Sequence, residues 1–160
     1  MVQFTTTPAE IQDIDEILEI TRLCRLSPWS PEDLKDEIGR TNSLLIVVFS
    51  GDRENVQGFI SGRLVPAAVA ENLFDAEIYN IGVKPESRNK GAGALLLSEF
   101  LDQCRGSGVS DVWLEVRVSN EAALRFYRAH GFTDAGVRKA FYSGPVEDAL
   151  ALKLTIGKFT

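Results

Sequence analysis

Hydrophobic positions along the chain follow two periods, and the switches between them mark its elements. Val2 to Thr6 reads as a short first strand. Thr7-Pro8-Ala9-Glu10 then reads as a helix start, with Thr7 as N-cap, Pro8 at the first helical position and Glu10 closing a capping box. Ile11, Ile14, Ile17, Leu18 and Leu23 give that helix an apolar face as far as Arg25. Ser27-Pro28-Trp29 breaks it, and Ser30-Pro31-Glu32-Asp33 repeats the start signal for a second helix reaching Ile38. The unbroken apolar run from Ser43 to Ser50 predicts a central strand, and Val56 to Val65 its hairpin partner across the turn at Gly51 to Asn55. After a loop of small residues from Pro66 to Leu73, Glu77 to Val83 predicts another strand. Leu95, Leu96, Leu97, Phe100 and Leu101 then predict a helix from Gly91 to the stop at Gly106-Ser107-Gly108. A strand from Asp111 to Val118, a helix from Asn120 to His130 capped by Gly131, and two strands, Phe132 to Phe141 and Asp148 to Ile156, complete the order.

That order, β-α-α-β-β-β-α-β-α-β-β, predicts a mixed α/β sheet in a single domain over residues 1–160. An apolar fraction of 44% and a charged fraction of 25% are those of an ordinary globular protein. No run of apolar residues is long enough for a membrane helix, and the N-terminus lacks a signal-peptide pattern. A net charge of −6 without a basic stripe argues against nucleic acid and suits a cationic substrate such as an amine. Cys24, Cys104 and the lone His130 show no metal spacing, so two reduced thiols in a cytoplasmic protein are expected.

The strongest chemical signal lies between the Glu77–Val83 strand and the helix after it. Arg88-Asn89-Lys90-Gly91-Ala92-Gly93 joins a strand to a helix N-terminus, where unpaired backbone N–H groups and the helix dipole favour an anion. Glycines 91 and 93 let a phosphate approach the backbone, while Arg88 and Lys90 add charge. The loop matches neither G-x-x-x-x-G-K-[ST] nor G-x-G-x-x-G, which argues against a nucleoside-triphosphate loop and a dinucleotide fold. The spacing R-x-x-G-x-G resembles the pyrophosphate loop of the GNAT family, the acetyl-CoA-dependent N-acetyltransferases. The element order agrees with the GNAT fold, a mixed central sheet of about seven strands with about four helices.

A second constellation is Leu114-Glu115-Val116-Arg117 followed by Ser119-Asn120 and Tyr127. Alternation places Trp113, Glu115 and Arg117 on one face of their strand. Read from the residues alone, Glu115 is a solvated carboxylate on a sheet face, and Tyr127 is a core tyrosine packed with Phe126 and Phe132. Within the GNAT family the chain resembles the ribosomal-protein-alanine N-acetyltransferases of the RimI type. The likeness covers Pro28-Trp29-Ser30, Tyr79-Asn80-Ile81-Gly82-Val83, Leu114 to Arg117, Ser119-Asn120, Tyr127, and the segment with Arg138, Tyr142 and Glu147-Asp148-Ala149.

That resemblance implies acetyl transfer from acetyl-CoA to a protein's N-terminal α-amino group, with a ribosomal protein beginning in alanine as acceptor. It implies Glu115 as the base and Tyr127 as the acid. It places the pantetheine amides along the backbone of Ile81, Gly82 and Val83, the pyrophosphate at Arg88, Asn89, Lys90, Gly91, Ala92, Gly93 and Ala94, and the cofactor arm beside Asn120. The chemistry suits these residue types. A carboxylate removes a proton from an ammonium, a tyrosine protonates a leaving thiolate, and a backbone N–H near Ile81 serves the oxyanion. The resemblance sets the acceptor groove near Trp29 and Tyr142. The stretch Arg63 to Asp75 departs from the family's short hairpin connection and leaves the acceptor open. A GNAT enzyme for a small amine or a lysine side chain, and a non-catalytic acetyl-CoA-binding module, are the alternatives.

Overall fold

The computed structural model describes residues 2–67 and 73–157. Seven strands form one sheet: β1 (Phe4–Pro8), β2 (Ser43–Ser50), β3 (Val56–Pro66), β4 (Phe74–Val83), β5 (Val109–Arg117), β6 (Thr133–Tyr142) and β7 (Glu147–Thr155). Their order is β1-β2-β3-β4-β5-β7-β6. Only the β4–β5 contact is parallel, as the crossover helix between those strands requires. The helices are α1 (Ile14–Leu23), α2 (Pro31–Gly39), α3 (Ala92–Gly106) and α4 (Glu121–Ala129).

The two faces of the sheet carry separate cores. On one, Ile46, Val48, Ile60 and Ile78 pack with Leu96, Leu97 and Phe100 of α3 and with Leu124 and Tyr127 of α4. On the other, Leu45, Val47 and Phe59 pack with Ile17 and Ile20 of α1 and Leu34 of α2. Strands β2 and β3 are buried on both faces, which is why their apolar runs do not alternate.

The beginning of the chain differs from the sequence expectation. Thr7 and Pro8 do not start a helix, because they belong to β1, where Thr7 pairs with Val47 and Pro8 with Ile46. Proline is tolerated there because β1 is an edge strand and this is its last residue. The helical start comes later, with reciprocal capping between Glu10 and Asp13. Asp13 is buried and takes a two-pronged contact from Arg53, at 2.7 Å to each oxygen. Burying apolar surface beside β2 outweighed a local capping signal. At the second helix the signal holds: Ser30 accepts from the Asp33 amide at 3.0 Å with Pro31 at the first position.

The Arg63–Asp75 stretch is also corrected. Strand pairing continues through Pro66 opposite Phe74, so residues 63–66 and 74–75 belong to the hairpin strands. Residues 68–72, within the expected Pro66 to Leu73 loop, lie outside the described residues.

Candidate active site

Two adjacent strands part company in the middle of the sheet. β4 and β5 pair at Phe74–Val109, Ala76–Val112 and Glu77–Trp113, and no further. Beyond that point β4 stays with β3, while β5 stays with β7 as far as Arg117. The Lys84 amide donates to the Gln57 carbonyl of β3 at 2.8 Å. Backbone groups alternate in direction along a strand, so Val83 and Ile81 turn their N–H and C=O groups away from β3 and toward the opening. An extended, amide-bearing chain fits such an exposed strand edge.

A bulge sharpens the divergence. Ser61 pairs with Asn80 but Gly62 pairs with Ile78, so Tyr79 is the extra residue on β4. Gly62 is required there, because a Cβ at this position would lie 2.6 Å from the ring of Phe100 and would also meet the Glu77 carbonyl.

The loop predicted for phosphate follows β4. One 3-10 turn, Pro85–Ser87, carries the chain to Arg88. Asn89 adopts φ +59° and Gly91, the N-cap of α3, adopts φ +92°. Nothing lies within 4 Å of the point a Gly91 Cβ would occupy, so the space before the helix is open. Ala92 is buried, whereas Lys90 and Gly91 are exposed. Gly93 sits close to α4: its Cβ position lies 3.6 Å from the Phe126 ring and 3.9 Å from Val83. Arg88 turns back instead of outward. Its Nε donates to the Val83 carbonyl at 3.0 Å and one Nη lies 3.5 Å from the Cys24 sulfur. The open loop, the left-handed glycine and the β4 edge at Ile81 together fit a phosphate-bearing pantetheine.

On the face carrying α1 and α2, the divergence opens into a cleft of about 510 Å³. Glu77 and Tyr79 of β4, Trp113 and Glu115 of β5, Val137 and Arg138 of β6 and Ala151 of β7 line it. The Glu115 side chain is 30% exposed and lies 3.3 Å from the Arg138 guanidinium. Asp75 is fixed at the rim, accepting from the Asp111 amide and Trp113 Nε1, each at 3.2 Å.

Tyr127 faces the opposite core, where its ring meets Phe126 at 5.2 Å and Phe132 at 5.4 Å, edge to face in both cases. Burial raises the pKa of its hydroxyl well above the ordinary tyrosine value. Asn120 caps α4, its Oδ1 accepting from the Ala123 amide at 3.2 Å, which leaves its side-chain N–H groups for another acceptor. The structure thus brings Ile81, Val83, Gly91 and Gly93 to one opening, with Phe126 of α4 beside it. Glu115 stands on the other face of the sheet.

Several cleft residues were given no role in the sequence reading. Tyr79 lies under the Arg63 guanidinium at 5.7 Å, and Arg63 is anchored by the buried Glu37 of α2 at 2.6 and 3.0 Å. Desolvation and the neighbouring Glu77 charge push the Tyr79 hydroxyl up to about 12. Periodicity does place Glu77 on a polar face, but the bulge at Tyr79 has no local signature. The residues expected at the groove take different places. Trp29 packs into the core beneath α1 and α2. Tyr142 lies under Arg117 at 4.4 Å, and its hydroxyl pKa is raised by burial first and then by the charge of Glu115. Tyr142 thus stands beside Glu115 at the margin of the cleft.

Comparison with known proteins gives this geometry its relatives. The model of the acetyltransferase (GNAT) family matches residues 14–132. The N-alpha-acetyltransferase RimI of Mycobacterium tuberculosis is 36% identical over 132 residues, covering 81% of this chain and 77% of that protein. A putative ribosomal protein bS18-alanine N-acetyltransferase of Bacillus subtilis is 31% identical over 148 residues, covering 92% and 93%. The crystal structure of the ribosomal-protein-S18-alanine N-acetyltransferase from Escherichia coli superposes with a TM-score of 0.81 at 26% identity, covering 99% of this chain and 97% of that one. Sheet order, strand divergence and the glycine-bearing loop before α3 therefore have one source: this chain belongs to the GNAT family of acetyltransferases.

Proposed function

We propose that this protein is a peptide α-N-acetyltransferase, moving acetyl from acetyl-CoA to the N-terminal amine of a protein. We further propose that its acceptor is a ribosomal protein beginning with alanine, and that it works in the cytoplasm. The observation that carries the reading is Glu115 on the floor of an acidic cleft that opens where β4 and β5 separate. The similarity to bS18-alanine N-acetyltransferases supports the acceptor class. The cleft is bordered by β6, exposed along nearly its whole length, and that openness suits a polypeptide better than a small enclosed amine.

The reaction forms a carbon–nitrogen bond at the acetyl carbonyl and breaks the carbon–sulfur bond, with acetyl-CoA supplying an activated thioester. The chain's own residues do the rest. The backbone of Ile81 and the Val83 N–H hold an amide-bearing arm, and the Ile81 N–H donates to a developing oxyanion. The α3 N-terminus, with Gly91, Gly93, Lys90 and a re-aimed Arg88, takes the pyrophosphate. Glu115 accepts the proton that the ammonium must lose before nitrogen can attack. Tyr127, kept protonated by burial, gives its proton to the departing thiolate. Orientation of the two reactants contributes several kcal/mol more, of order 7 in well-aligned cases.

The test is acetyl-CoA turnover with the purified protein against alanine-first peptides, peptides with other first residues, an internal-lysine peptide and small amines. Preference for the alanine-first peptides is expected. Preference for lysine or a small amine overturns the acceptor assignment.

A further inference from the structure

Acetyl transfer needs a base at Glu115, but it does not require that base to be paired already. Glu115 is nevertheless joined to Arg138, 3.3 Å from Oε1 to Nη1, although β7 runs between their strands. Two small residues let the pair cross. Ala151 stands opposite Glu115 and Ala149 opposite Arg138, and neither side chain rises above a methyl group. Pairing of β6 slips between Arg138 and Tyr142, with Ala140 at φ +50°, and such a bulge redirects the side chains around it. The Arg138 side chain is 62% exposed and lies over the Phe141 ring at 5.6 Å.

The charges facing Glu115 are unequally committed. β4 contributes Asp75, Glu77 and Tyr79, and β6 contributes Arg138 and Tyr142. On its own strand Arg117 is held by Glu147 of β7 at 3.3 Å and by the Ser143 and Pro145 carbonyls. Lys153 of β7 lies over the Trp113 ring at 5.3 Å. Among the described residues lining the cleft, Arg138 is the single cation facing three carboxylates.

We propose that Arg138 is the resident counterion of the acceptor site and a specificity-determining residue. Its guanidinium occupies the position beside Glu115 that the acceptor's α-ammonium takes, so that only a cation displaces it. The proposal rests on the reading of Glu115 as the carboxylate that receives the acceptor. An ion pair this exposed is weak and exchanges readily. An ammonium brings an equal charge and three donors, so the exchange leaves Glu115 compensated. A neutral group offers no such replacement. The acceptor therefore enters protonated, and its proton passes to Glu115 only after it is seated.

Calorimetry with CoA in place of acetyl-CoA tests this without turnover. The probes are an alanine-first peptide and its des-amino analogue, in which a propionyl group replaces alanine. Arg138→Gln should bind the alanine-first peptide about twofold to fivefold tighter, the scale of an exposed ion pair, and leave the analogue unchanged. Arg138→Met, which keeps an unbranched apolar side chain and removes the charge, should do the same, and Arg138→Lys should behave as wild type. In a Glu115→Gln background, Arg138→Gln should change nothing. Equal or weaker binding of the alanine-first peptide to both charge-removing variants, or the same change for both peptides, overturns the role of Arg138. If Glu115→Gln alone binds as wild type does, the assignment of Glu115 to the acceptor fails first, and this proposal with it.

Discussion

Glu115 stands directly opposite Ala151 in the antiparallel pair of β5 and β7, and the Ala151 methyl group forms part of the cleft floor. That smallness keeps the space above the carboxylate open and lets Arg138 reach across. Ala151→Leu would fill the cleft between the two charged groups. The acceptor KM should rise about tenfold, the scale of an added steric group in a specificity pocket. Affinity for acetyl-CoA, whose proposed site lies at the other end of the strand opening, should stay the same. Steady-state kinetics with an alanine-first peptide, together with calorimetry on the cofactor, checks both halves.

Gly91 carries the cofactor prediction. Its φ of +92° is unfavourable for any residue with a Cβ and most unfavourable for a β-branched one. The space around it is empty, so Gly91→Ala introduces backbone strain alone, and Gly91→Val adds bulk where phosphate must approach. Both should weaken acetyl-CoA binding, the valine by more than tenfold, since a bulky side chain denies the helix N-terminus to the phosphate. Calorimetry on the folded variants decides it, and unchanged affinity in Gly91→Val would remove the phosphate site from this loop.

Much of this architecture was legible in the sequence because its signals are local. The apolar run of β2, the Ser30 capping box before α2 and the glycines around α3 each imply one conformation over a few residues. The start of the chain was misread for the complementary reason. Thr7-Pro8 carries a good helix signal, but pairing with Val47 and Ile46 of a distant strand outweighs it. The geometry of the loop proposed for phosphate was legible, since a strand, two glycines and a helix start are contiguous. The cleft proposed for the acceptor was not, because Glu77, Glu115 and Arg138 come to line one space through sheet order and the bulge at Tyr79, neither of which is written in any one segment.

Tyr127 separates a catalytic hydroxyl from a packed ring. Tyr127→Phe retains the edge-to-face contacts with Phe126 and Phe132 and removes only the oxygen. Turnover should fall roughly a hundredfold with little change in cofactor affinity. Burial raises the hydroxyl's pKa, so Tyr127 remains a proton donor throughout the working range and should produce no alkaline fall in rate below pH 10. A lower melting temperature with normal turnover would mark Tyr127 as a core residue alone.

The ion pair behind the cleft makes a stability prediction. Glu37 is 3% exposed, and burial alone would raise its pKa. Contacts from Arg63 and Arg40 outweigh that penalty and leave it below the usual carboxylate value. A lowered folded pKa stabilises the protein above the unfolded value, near 4.3, and that contribution is lost as pH falls through the folded value. Glu37→Gln should therefore cost about 2 to 3 kcal/mol at pH 7, because it leaves the Arg63 charge without its partner. The difference from wild type should narrow below pH 4. Urea unfolding at pH 7 and pH 3.5 measures it, and an equal difference at both values would show that the charge on Glu37 is not the source.

The base and the acceptor are tested together through Glu115. An α-ammonium has a reference pKa near 8, against about 10.4 for lysine, so a single carboxylate suffices to deprotonate it at neutral pH. Glu115→Gln keeps the shape of the side chain and its place opposite Ala151 while removing its ability to take a proton. It should fold, bind acetyl-CoA, and lose roughly two orders of magnitude in turnover on an alanine-first peptide at pH 7. As pH rises past 8 the amine sheds its proton to solvent, and the gap from wild type should close. An internal-lysine peptide stays protonated for two further pH units, so any residual activity on it should recover only near pH 10. A pH–rate comparison of both proteins on both peptides reads all of this at once. Parallel profiles for wild type and Glu115→Gln would leave the cleft without a base, and faster transfer to the lysine peptide would identify a different acceptor.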